Sequence, residues 1–211
     1  SPTQPFPIKP VPLVPLGVRR ADLSTVTPET NRACLDMWDR EGMTDSEIYT
    51  PTKLWGATVY RPSNSAGAGG TYGGVSYSPE LGYIFVNTRN SIGWHKVAQD
   101  GKGGIRIEGA YRGMSDPATG LSCANPPWSE LVAVNANTGD VAWRRPLGIA
   151  ERLGDKGLLL GSPGNGGSMA TKGGLVFTGA TGDARFRAFD AVNGAELWTQ
   201  RLPANAGSSP M

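Results

Sequence analysis

The chain has 211 residues and a net charge of +2, so no charge bias points to nucleic acid or an anionic membrane as its partner. With 38% hydrophobic and 18% charged residues, and with 30 glycines and 17 prolines, it reads as a turn-rich all-β chain and not a helical one. No apolar run approaches the roughly 20 residues of a membrane helix, and no basic-then-apolar start marks a signal peptide, so the targeting segment of an exported protein would lie outside these residues.

Residues 1–16 carry prolines at 2, 5, 7, 10, 12 and 15 with apolar residues between them. Such a segment cannot pair as a central strand and is expected to run extended across its own protein, in preference to serving as a proline-rich ligand. Thr27-Pro28-Glu29 then reads as a helix start, with Thr27 as N-cap and Pro28 in the first turn, and Gly42 as the stop. Cys34, Met37 and Trp38 share one face of that helix, a packing face. Tyr49 to Leu54 and Ala57 to Tyr60 read as short extended pieces. Ser63 to Gly70 (SNSAGAGG) invites a phosphate-loop reading, but no Gly-Lys-Ser/Thr follows and no βαβ unit surrounds it; Gly161 to Gly167 fails the same test.

Strands are expected at Tyr72 to Ser78, Gly82 to Asn87 and Glu130 to Asn135, the set closing through Trp143 to Leu147. Further strands are expected at Leu175 to Thr178, Arg185 to Phe189 and Glu196 to Gln200. Thr181-Gly182-Asp183 and Asn193-Gly194 supply hairpin turns. Within Ala184 to Asp190, Ala184, Phe186 and Ala188 point to one face and Arg185 and Arg187 to the other. The excursion from Ser91 to Trp128 is long and rich in Gly, Asp and Pro, and is expected to be an irregular loop carrying Trp94 and His95 as exposed loop residues.

An internal repeat organises these strands. AVNANTGDVAW (Ala133 to Trp143) and AFDAVNGAELW (Ala188 to Trp198) share Ala, then Asn or Asp, then Gly, then Trp, and start 55 residues apart. Tyr72-Gly73-Gly74 and Asn165-Gly166-Gly167 precede the two copies in parallel. A repeat of that length built from a few strands is the sign of a propeller blade. The small Ala suits close strand approach, the Asn or Asp starts a turn, the Gly takes a left-handed position, and the Trp supplies a plate to wedge between blades.

The two cysteines, Cys34 and Cys123, are too few for a structural zinc site and leave open a long-range disulfide or two buried thiols. His95 is the single histidine, which rules out a histidine cluster within this chain. The sequence assigns no catalytic residue and no metal ligand.

The two repeat-bearing stretches, Cys123 to Gly148 (CANPPWSELVAVNANTGDVAWRRPLG) and Gly166 to Trp198 (GGSMATKGGLVFTGATGDARFRAFDAVNGAELW), resemble the quinoprotein dehydrogenases, propeller enzymes that use pyrroloquinoline quinone (PQQ). SPTQP, EIYTPTKLWGATVYRP and GGVSYSPELGYIFVNT are similar to the membrane-bound glucose dehydrogenase branch. The resemblance implies a partial β-propeller of the eight-bladed quinoprotein type, about two blades with one short helix in the lead-in. It implies a lead-in at 1–71, a blade at 72–147 with its insertion at 91–128, a second blade at 148–202, and at 203–211 the start of a link to a missing blade. Two blades cannot close a ring, so a C-terminal-side piece of a longer enzyme is expected.

The same resemblance implies oxidation of a sugar or polyol hydroxyl in the periplasm. PQQ and a calcium or magnesium ion would be the cofactors, and ubiquinone or a cytochrome the acceptor. The catalytic aspartate, the metal ligands and any membrane anchor are expected outside this chain, and this chain alone is expected to be inactive. Blade-start positions near the axis become the cofactor-binding candidates: Thr71, Tyr72, Asn87, Asn165 and Gly166. Thr71-Tyr72 departs from the Asn-Trp of many relatives, and Asn165 stands where the alcohol-oxidising branch has Trp. The alternative is a cofactor-free scaffold propeller of the same repeat family.

Overall fold

In the computed structural model, which describes residues 8–62, 74–179 and 181–210, two turns of the same build set the architecture. Asn135 Oδ1 accepts from the backbone N–H groups of Asn137 (2.9 Å) and Thr138 (3.3 Å), and Asp190 Oδ1 accepts from those of Val192 (2.7 Å) and Asn193 (3.1 Å). Gly139 and Gly194 then adopt φ of 73° and 72°, a left-handed conformation that a Cβ would strain. Each turn joins the last two strands of a four-stranded antiparallel sheet.

The elements in chain order are helix α1 (Pro28–Arg40) and strands β1 (Ala57–Tyr60), β2 (Ser76–Ser78), β3 (Tyr83–Arg89), β4 (Gly93–Gln99) and β5 (Ile105–Gly113). Then follow β6 (Ser129–Asn135), β7 (Val141–Pro146), β8 (Ser168–Ala170), β9 (Leu175–Thr178), β10 (Arg185–Asp190) and β11 (Glu196–Arg201). The sheets have the orders β2-β3-β6-β7, β8-β9-β10-β11 and β1-β4-β5. The chain divides into two units: Ser1–Leu13, Ala66–Arg89 and Ser129–Met211 form the first, and Val14–Ser65 with Asn90–Trp128 form the second.

In the first unit, register places Ser76, Phe85, Ala133 and Trp143 in one cross-strand row of the first sheet, and Met169, Phe177, Ala188 and Trp198 in the matching row of the second. The sequence repeat is therefore a repeat of packing positions. Phe85, Leu131, Ala133 and Trp143 pack on Val176, Phe189 and Ala191 in one buried core. The indole N–H of Trp143 donates to the Ala191 carbonyl at 3.1 Å, and a Cβ on Gly194 would come within 2.6 Å of that ring. Trp198 has no such cover: it is 48% exposed where Trp143 is 8% exposed, and it makes an edge contact with Phe186. The other face of the first sheet buries Val86, Val132 and Val134 against Leu13, as expected for an extended N-terminal segment laid across its own protein.

The second unit is built on α1. Thr27 Oγ1 accepts from Thr30 N–H at 3.1 Å and caps the helix, whose buried residues Thr30, Cys34 and Trp38 recur every four positions. Of the two states left open for the cysteines, the structure has the disulfide Cys34–Cys123, which closes an 89-residue separation. Arg61 donates to the carbonyl oxygen of Gly17 (3.0 Å) and to Asn90 Oδ1 (2.6 Å), while Asn90 Nδ2 donates to the carbonyl oxygens of Asn125 (2.8 Å) and Pro127 (3.2 Å). The indole N–H of Trp128 returns to Ala124 O at 2.6 Å. CANPPW is thus a folded structural turn.

Two expectations are corrected. The 91–128 segment is not an irregular loop: β4 and β5 form a hairpin that pairs with β1, and Trp94 and His95 lie half-buried on β4. Asp100 and three of the segment's glycines belong to the hairpin turn, in which Asp100 Oδ1 accepts from the N–H groups of Lys102 and Gly104, both at 2.8 Å, while Gly101 and Gly103 take positive φ. In the 181–184 turn the left-handed residue is Ala184 (φ 52°), not Gly182.

Candidate functional site

Alternation along β3 puts Phe85, Asn87 and Arg89 on one face, so the apolar core of the first unit turns polar toward the end of that strand. Asn87 is 3% exposed, and its Nδ2 donates to Gly166 O and Thr178 Oγ1, both at 3.0 Å. The Thr178 hydroxyl in turn donates to Gly167 O at 3.0 Å. Arg89 donates through a terminal nitrogen to Asn165 Oδ1 at 2.9 Å. Nearby, Ser76 and Ser168 share a hydroxyl–hydroxyl bond of 2.8 Å across the two sheets.

The structure therefore brings together Asn87, Asn165 and Gly166 of the sequence candidates. Thr71 and Tyr72 lie outside the described residues. Arg89 and Thr178 were missed, although the two-residue period of a strand running Phe85, Asn87, Arg89 was available as a signal. Two atoms in this group are buried and make no hydrogen bond among the described residues: Asn87 Oδ1, an acceptor, and Arg89 Nε–H, a donor. Buried polar atoms are nearly always paired, so the two orphans mark where a ligand or an ordered water would bond.

A charged cluster stands beside this layer, since Arg187 pairs in register with Thr178. Arg187 is 1% exposed, although the strand alternation placed it opposite the apolar face. Its guanidinium bonds both oxygens of Asp183, reaches Thr181 Oγ1 at 3.0 Å and lies 3.3 Å from Glu196. Burial pushes the Asp183 carboxyl up, but hydrogen bonds from Arg187 and Thr181, the Arg187 charge and the Ile149 N–H outweigh it and hold the pKa below the usual carboxylate value. With both oxygens engaged by Arg187 and one also by the Ile149 N–H, the carboxylate ties the loop before β10 to the strand. Among the described residues no three His, Cys, Asp or Glu side chains gather to hold a metal ion. His95, in the second unit, lies 3.3 Å from Thr52 Oγ1 against the ring of Tyr60. The arrangement at Asn87 and Arg89 is one for binding and orienting, with an amide acceptor and a fixed cation side by side.

Comparison with known proteins gives a consistent picture. The model of the family described as "PQQ: Glucose/ethanol/alcohol dehydrogenase, beta-propeller domain" matches residues 1–211. The quinate/shikimate dehydrogenase (quinone) of Acinetobacter baylyi is 33% identical over 68% of this chain, and the match covers 21% of that protein. The glycerol dehydrogenase large subunit of Gluconobacter thailandicus is 29% identical over 100% of this chain and 33% of its own length. Quinoprotein glucose dehydrogenase A of Acinetobacter calcoaceticus is 32% identical over 78% of this chain and 23% of its own length. The chain thus spans about a fifth to a third of the curated relatives it matches. Among solved structures, a europium-containing methanol dehydrogenase superposes with a TM-score of 0.51 at 20% identity over 79% of this chain and 26% of that one, a likeness of fold.

Proposed function

Because the chain belongs to the PQQ-dependent glucose, ethanol and alcohol dehydrogenase β-propeller family, we propose that it forms part of an enzyme that oxidises a sugar or polyol hydroxyl. The observation that carries this reading is the match of the family's propeller domain to residues 1–211, over two blade sheets docked through Trp143. The relatives' names supply the substrate class, cyclic and acyclic polyols and glucose, and a quinone as acceptor in one case. Ubiquinone or a cytochrome is the acceptor we propose here.

The residues at the end of β3 fit the cofactor. PQQ carries quinone and carboxylate oxygens that accept hydrogen bonds and a pyrrole N–H that donates one; a buried orphan acceptor and a buried orphan donor two residues apart suit such a ligand. When bound, the quinone supplies a two-electron acceptor for the hydride of the substrate's carbinol carbon, with a calcium or magnesium ion as Lewis acid. This chain's share is positional. Asn87, held by Gly166 O and Thr178, presents its Oδ1 in a fixed direction, and Asn165 and Gly166 line the same end of the second sheet. The base, the metal ligands and the remaining blades belong to other parts of the enzyme, so residues 1–211 alone are inactive.

The Cys34–Cys123 disulfide supports a periplasmic location, since such bonds persist in oxidising compartments. The test is to purify the complete enzyme, load it with PQQ and calcium, and follow dye reduction with aldoses, glycerol and quinate. Oxidation of at least one of them supports the reading, and absence of both quinone binding and oxidation overturns it. Turnover by residues 1–211 alone would overturn the assignment of the base and metal ligands elsewhere.

A further inference from the structure

We propose that Arg89 and Asn87 form a carboxylate-binding subsite that takes an anionic carboxylate next to an N–H or O–H donor, an inference that rests on the dehydrogenase reading above. The argument is one of unmet valence. Asn87 uses both of its N–H groups, on Gly166 O and Thr178 Oγ1, so its amide orientation is fixed by partners and its Oδ1 is left as a buried acceptor. Arg89 uses one terminal nitrogen on Asn165 Oδ1, and its Nε–H is a buried donor with no partner among the described residues. The two side chains stand at i and i+2 of β3 and so project from the same face.

An acceptor beside a fixed cation is complementary to a donor beside an anion. A guanidinium is always charged and pairs with carboxylates through its planar fork. The Arg89 charge disfavours a second cation there, and the Asn87 acceptor beside it selects a neutral N–H or O–H on the neighbouring ligand atom. Asn165 does not neutralise Arg89, because its amide carries no charge. Two sources carry this chemistry: PQQ, whose pyrrole N–H lies next to a carboxylate, and a hydroxy acid with a hydroxyl near its carboxylate. Glucose and glycerol lack the anion and do not satisfy the Arg89 half of the subsite.

The experiment compares Arg89→Gln and Arg89→Lys with the unaltered complete enzyme. Equilibrium titration with PQQ, read by quenching of protein fluorescence, gives the cofactor affinity, and KM is measured for quinate and for glucose on fully loaded enzyme. If the cofactor's carboxylate is the ligand, Arg89→Gln weakens PQQ binding at least tenfold and Arg89→Lys recovers part of it. If a hydroxy acid is the ligand, PQQ affinity is unchanged while KM for quinate rises at least tenfold and KM for glucose does not. A variant that melts with the unaltered enzyme and changes neither PQQ affinity nor KM for quinate overturns the subsite while leaving the dehydrogenase reading in place. Failure of the unaltered enzyme to bind PQQ or oxidise any substrate takes down both.

Discussion

Trp143 donates its indole N–H to the carbonyl of Ala191, 48 residues further along, and lays its ring over Gly194 at the turn of the second repeat. The Trp of one repeat copy is thus received by the turn of the next. Trp143→Ala should destabilise the chain by about 3–5 kcal/mol, the range for emptying a buried aromatic site. Trp143→Phe should cost less and chiefly orphan the Ala191 carbonyl. Urea denaturation of the two variants reads both.

Trp198 holds the matching position in the second sheet but is half exposed. Trp198→Ala should therefore change the stability of residues 1–211 by less than about 1 kcal/mol. In the complete enzyme the same substitution should cost as much as Trp143→Ala, because a following blade would receive Trp198. Equal small effects in both settings would argue against a further blade at that face.

Asn87 separates a structural role from a ligand role. Asn87→Ala leaves Gly166 O and Thr178 Oγ1 without their buried donor and should cost about 2–3 kcal/mol even without cofactor. Thermal melting of the cofactor-free protein measures it; no change would mean that the tie contributes nothing to the docking of the two sheets.

The strands, the turns and the docking plate were legible because each rests on local chemistry: Asn135 and Asp190 bond backbone two and three residues ahead, Gly139 and Gly194 supply left-handed geometry, and the Trp spacing is fixed by register. The β4–β5 hairpin was hidden because glycines stand both in its turn, at 101, 103 and 104, and in its strands, at 93, 109 and 113, and so blur the strand pattern of that stretch. Asn87, Asn165 and Gly166 entered through family likeness. Arg89 did not, since an arginine at a strand end reads as solvated until the partners of its neighbours are known. The Cys34–Cys123 pairing needed a fold that brings residues 89 apart to adjacent positions.

The disulfide closes a long loop in the second unit, and chain entropy gives such a link about 4.6 kcal/mol of stabilisation. Cys34→Ser with Cys123→Ser should lower the denaturation midpoint, and a reductant should do the same to the unaltered chain only. A midpoint that does not respond to reductant would contradict a contribution of this size.

Acid should unfold the protein through carboxylates whose native pKa is depressed. Asp183 is held down by Arg187 and Thr181 against the opposing effect of its burial, and Asp116 by hydrogen bonds from Thr119, Ala118 N–H and Thr30. A depressed native pKa gives stability that is present above the ordinary value of 3.8 and is lost as pH falls below it through the native value. Stability should hold from neutral pH down toward about pH 5 and fall steeply below about pH 4. Asp183→Asn should be less stable at pH 7 and show a shallower acid limb, read by denaturant titrations at stepped pH.

The most direct measurement is restoration of activity to the complete enzyme after its divalent ion and quinone have been stripped with a chelator. The account predicts no dye reduction by the stripped enzyme and recovery with aldoses, glycerol or quinate only when PQQ and calcium or magnesium are both returned. Stripped enzyme that neither binds PQQ nor oxidises any of these substrates on its return would contradict it.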